Sequence, residues 1–84
     1  MLVFDAAATA SALDYSALIA GLREMFAAGV TAPLRHVHGL PRIGEPDTTL
    51  LLMPAWMGDG SHGGVKIVNV VPGNAARGLS AVTA

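Results

Sequence analysis

Lys66 stands inside an apolar run, residues 65–71, with Ile67, Val68 and Val70 around it. An ammonium buried there without a partner would be costly. In a strand with alternating faces, Lys66 can point to solvent while Val65 and Ile67 point inward. Val68 and Val70, however, share its face. A lysine on a largely apolar face suits an anionic ligand, or a base whose pKa burial has lowered. The residues alone leave both readings open. Arg35 raises the same question: its planar fork fits a carboxylate, but an arginine soon after a proline (Pro33) is also an ordinary surface residue.

Two other patterns carry less. His36 and His38 are two apart in a strand candidate and so share one face. A zinc site would need a third ligand, and the chain has no cysteine. Ordinary polar histidines are the simpler reading. Residues 58–63, Gly-Asp-Gly-Ser-His-Gly, match G-x-G-x-x-G letter for letter. That motif works between a strand and a helix, whose first N–H groups receive a pyrophosphate. Here the next residues, Val65-Lys66-Ile67-Val68, are strand formers, and no acidic residue lies about 20 positions on. A glycine-rich hairpin is expected, with no nucleotide bound.

The elements that must position these residues follow from periodicity and punctuation. Asp5 offers a side-chain acceptor for a helix through the alanine-rich residues 6–13, and Asp14 does so for a second. In the second, Tyr15, Leu18, Ile19, Leu22, Met25 and Phe26 recur at helical spacing, which predicts one apolar, core-forming stripe. Gly29 is placed for a left-handed helix end, and Pro33 prevents continuation. Residues 34–38 are a short strand candidate. Residues 48–56 read as a strand covered on both faces, with Pro54 at an end, an edge or a bulge. Residues 57–64 form a turn and 65–71 another strand, closed by Pro72-Gly73-Asn74. Residues 75–84 look featureless. Helices followed by strands on hairpin-length connections predict an α+β fold with a mainly antiparallel or mixed sheet.

The bulk numbers bound the rest. With 84 residues the chain is one domain at most, yet 52% of it is hydrophobic and 13% charged, and its mean hydropathy is +0.53. A domain this small covers only roughly 60% of its unfolded-chain surface. The apolar surplus predicts a dimer or larger assembly, or a further part of the polypeptide. No apolar run approaches the ~20 residues of a membrane span, so no membrane partner is expected. The net charge is −1 with the basic residues scattered singly, which argues against nucleic acid. The cytoplasm is the default expectation for location.

Four stretches, in order, resemble the ornithine cyclodeaminase/mu-crystallin family: Pro33-Leu34-Arg35-His36, Leu52-Met53-Pro54-Ala55, residues 64–68, and Pro72-Gly73-Asn74 with Gly78-Leu79. The helix ending Leu22-Arg23-Glu24-Met25-Phe26 is similar to the family's first long helix. The resemblance runs over residues 1–84 and implies part of a substrate-binding and dimerisation domain, without the Rossmann domain that binds NAD or NADP in the family. It implies that Arg35 and Lys66 hold the carboxylate of an amino or imino acid, that Met53 lines the same pocket, and that Lys66 has a catalytic part. Ornithine-acting members have an acidic residue before Leu-Met-Pro, where this chain has Leu51. That departure favours a dehydrogenase or imine reductase with a less polar substrate. The expected function is the N-terminal fragment of an NAD(P)-dependent amino-acid or imino-acid oxidoreductase, or of a cyclodeaminase-like enzyme, inactive by itself. The alternative is a stand-alone, non-catalytic, dimerising module that binds a small carboxylate.

Overall fold

The computed structural model describes all residues, Met1–Ala84, as two compact units, Met1–Val30 and Thr31–Ala84. The first holds helices α1 (Ala6–Ala12) and α2 (Tyr15–Ala28). Both start where a short acidic side chain satisfies a free backbone donor: the Ala8 N–H donates to Asp5 Oδ1 at 2.8 Å and the Ala17 N–H to Asp14 Oδ1 at 2.7 Å. Gly29 ends α2 with φ 84° and ψ 148°. The positive φ was anticipated, but the extended ψ turns the chain straight into strand instead of a left-handed cap. The apolar stripe of α2 is not core. Tyr15, Leu18, Ile19, Leu22, Met25 and Phe26 are all exposed, with Tyr15 at 85% and Phe26 at 81%. Periodicity identifies the face a helix will bury but not the surface that covers it.

The strands are β1 (Val30–Thr31), β2 (His36–Leu40), β3 (Thr48–Met57), β4 (Gly63–Val70) and β5 (Val82–Thr83). They form one sheet in the order β1-β3-β4-β5, with β2 also paired to β3. The β2–β3, β3–β4 and β4–β5 pairs are antiparallel, so the fold is α+β. β3 is flanked within the sheet, but its faces are only partly covered, unlike the doubly buried strand the apolar run suggested. Thr48 is its one buried residue, and Trp56 is exposed. Val68 on β4, at 7% exposure, is the buried hydrophobic centre of the sheet.

Pro54 neither ends nor bulges β3. The Met57 N–H donates to the His62 carbonyl at 2.9 Å, and bonded pairs alternate along an antiparallel ladder. Pro54, opposite Val65, therefore occupies a non-bonded position toward β4, and no β3–β4 ladder bond needs its missing N–H. The tail is more ordered than its composition suggests. Pro72–Arg77 is a 3-10 helix with Pro near its start, and Val82–Thr83 returns as β5 beside β4.

Candidate functional site

Alternation and register determine which side chains share a face. β3 and β4 pair so that Met53 lies across from Lys66, Leu51 from Val68, and Ala55 from Gly64. On the other side of β3, Val37 lies across from Leu51 and His36 from Leu52. Met53 and Lys66 thus form a cross-strand pair on a single face of the sheet. Arg35 lies one residue before the start of β2 and of its ladder with β3.

The neighbours give this row its character. Both cations are exposed and Met53 is half-buried. The ion pairs of the structure converge elsewhere, on Glu45, so no carboxylate of the chain neutralises Arg35 or Lys66. A planar guanidinium and a compact ammonium without ion-pair partners are side chains of the type suited to a carboxylate. One row away lie Val37, Leu51 and Val68, all apolar. On the other side lie the small residues Ala55 and Gly64. Lys66 is not in a buried pocket, and Val65 and Ile67 on the opposite face are themselves 58% and 50% exposed.

The opposite face carries His36 and His38, whose ring centroids are 6.4 Å apart, beside Leu50 and Leu52. No group of three or more potential metal ligands forms. The loop at residues 58–62 joins β3 to β4. The Gly60 N–H donates to the Met57 carbonyl at 3.0 Å, Gly60 takes φ 74°, and Asp59 Oδ1 accepts from the Ser61 N–H at 2.9 Å. The Ser61 hydroxyl first, and then that backbone bond, hold the Asp59 carboxyl below its ordinary value. Because β4 follows, no helix N-terminus faces the loop, and these residues do not fit a dinucleotide.

One polar assembly was not visible from sequence. Glu45, with its side chain 15% exposed, accepts from Arg42 Nε at 2.8 Å and from Arg77 Nη2 at 2.7 Å. Hydrogen bonds from these two guanidiniums, Arg42 first, hold its carboxyl below the usual range. A Cβ on Gly73 would collide with that carboxylate. Arg77 lies 32 residues from Glu45, so only the folded return of the 3-10 helix brings them together.

The chain is an α+β segment in which Lys66 stands across from Met53 on one sheet face. It is similar in sequence to Delta(1)-pyrroline-2-carboxylate reductases. The chain is 46% identical over 84 residues to Delta(1)-pyrroline-2-carboxylate reductase 2 of Burkholderia ambifaria, covering 94% of the chain and 25% of that protein. It is 46% identical over 85 residues to reductase 1 of Burkholderia multivorans, covering 95% of the chain and 25% of the relative. With the Delta(1)-pyrroline-2-carboxylate/Delta(1)-piperideine-2-carboxylate reductase of Azospirillum brasilense it shares 44% over 85 residues, again 95% and 25%. The chain spans about a quarter of the length of these relatives. No family model and no solved structure matches it. No helix is long and apolar enough to cross a membrane.

Proposed function

We propose that this chain is the carboxylate-anchoring segment of an NAD(P)-dependent reductase acting on a cyclic imino acid such as Delta(1)-pyrroline-2-carboxylate. The observation that carries the reading is Lys66, without an ion-pair partner, directly across from the half-buried thioether of Met53, with Arg35, likewise unpaired, one residue before β2. Three further points support it. The relatives named above are reductases of such acids. Leu51, with Val37 and Val68, makes the adjoining row apolar, which disfavours ornithine and its second amine. The homology also implies a nicotinamide cofactor for the full-length reductases.

In Delta(1)-pyrroline-2-carboxylate the imine carbon bears the carboxylate directly. Groups that grip the carboxylate therefore fix the reacting carbon one bond away. Arg35 supplies a bidentate grip. Lys66 supplies a compact charge and extra donors, and its contact beside the reacting carbon is the catalytic part assigned to it. No hydride step is assigned to these residues.

Reduction of the imine turns the ligand into proline, so proline probes the site as product. Titrating L-proline into the chain should shift the amide signals of Met53, Lys66 and their neighbours, and prolinamide, which lacks the carboxylate, should not. Equal shifts from both compounds, or none from proline, would refute the reading.

A further inference from the structure

Resting on the carboxylate reading of Lys66 beside Met53, we infer that Ala55 and Gly64 form a shelf that receives the ring of the bound acid, and that Gly64 sets how bulky that ring can be. The two rows beside the anchor differ sharply. On one side Leu51 lies across from both Val37 and Val68, and Val68 is only 7% exposed, so that row is filled by branched side chains. On the other side Ala55 lies across from Gly64, giving one methyl and one hydrogen over two strands. Rows on one face are about 7 Å apart, close enough for a ring attached to an anchored carboxylate to reach the next row.

Gly64 has no local reason to be glycine. It carries no positive φ, in contrast to Gly60 in the adjoining turn. A Cβ built on it would meet nothing within 4 Å. Its neighbour Gly63 differs: a Cβ there would lie 3.4 Å from the Trp56 Cβ, on the opposite face. A glycine inside a strand weakens it and often marks a close approach by a ligand. At Gly64 the backbone has ordinary strand geometry and the space above it is open, on the face that carries Lys66. The ring of a cyclic imino acid, planar around its C=N bond, can lie flat over such a shelf.

The test compares two probes, acetate and pyrrole-2-carboxylate, binding to the 84-residue chain followed by amide shifts. Pyrrole-2-carboxylate is a stable planar ring bearing the same carboxylate. The variants are Gly64→Ala, Gly64→Val and Lys66→Met. Open space and a strand setting let Gly64→Ala fold, and preserved amide dispersion checks each variant. Selectivity for pyrrole-2-carboxylate over acetate should fall stepwise from parent to Gly64→Ala to Gly64→Val, with the valine reducing it about tenfold or more. Lys66→Met should weaken both probes together. If Lys66→Met weakens both but the Gly64 variants keep the parental selectivity, the shelf is wrong and the anchor stands. If Lys66→Met affects neither probe, or the parent binds neither, the anchor itself fails and the shelf with it.

Discussion

Lys66 lies directly across from Met53 in the β3–β4 ladder, at a position whose alternation makes it a hydrogen-bonded pair. The lysine's place on the face is therefore fixed by backbone bonds rather than by its own side chain. The same register sets Leu51 against Val68. A slip of one residue would transfer Lys66 to the face of Trp56 and Pro54 and separate it from Met53.

That dependence is testable at Val68. Val68→Ala removes methyl groups from the sheet's buried centre and is expected to cost about 1–3 kcal/mol in denaturant unfolding. Ile67→Ala, on the other face and half exposed, should cost clearly less. Equal costs would mean that the buried side of the sheet has been misassigned.

Stability should also depend on pH through Glu45. Its folded pKa lies below the ordinary carboxylate value, so its contribution is complete above that value. It is lost as pH falls through the lowered folded pKa. Glu45→Gln should lower stability at neutral pH and flatten the acid-side decline. Gly73→Ala, which pushes a methyl group into the carboxylate, should act similarly, and the double variant should be little worse than either alone. Thermal unfolding between neutral and acidic pH measures all three, and additive losses would contradict the shared lock.

The N-caps offer a local check. Asp14→Ala deprives the Ala17 N–H of its acceptor and should cost about 0.5–2 kcal/mol, visible as reduced helical circular dichroism. Asp14→Asn should retain most of the signal. An alanine variant as helical as the parent would show the cap to be dispensable.

How much of this was legible beforehand follows from the range of each interaction. Asp5 and Asp14 cap donors three residues away, so the helix starts were readable. The glycine-rich hairpin was readable too, because the strand formers after it rule out a helix. Strand residues could be located, but which stood across from which could not. The pairing of Met53 with Lys66 is set by register between two strands separated by a loop. Residues 75–84 look featureless in sequence because small residues give no periodicity, yet they complete the 3-10 helix and form β5. Pro72 and Gly78, placed at the start and end of the 3-10 helix, were the available signal. Glu45 and Arg77 gave none, being loop charges far apart in the chain.

The exposed stripe on α2 predicts self-association. Ile19 at 51% and Phe26 at 81% exposure leave large apolar side chains in water. Sedimentation at micromolar concentration should show dimers or larger assemblies, and Ile19→Glu with Phe26→Glu should shift the population toward monomer. A parent chain that stays monomeric throughout the concentration range would contradict this.

The most direct test of the carboxylate anchor is a double-mutant cycle on Arg35 and Lys66, with L-proline and pyrrole-2-carboxylate as ligands. Each charge-assisted hydrogen bond to a carboxylate contributes on the order of 1.5–3 kcal/mol when water is excluded. Arg35→Met and Lys66→Met should therefore each weaken binding by roughly tenfold to a hundredfold. Because both grip one ligand group, the double variant should lose less than the sum of the two. Binding like the parent's in both single variants would show Arg35 and Lys66 to be solvated surface charges, and strictly additive losses would show that they do not share a carboxylate.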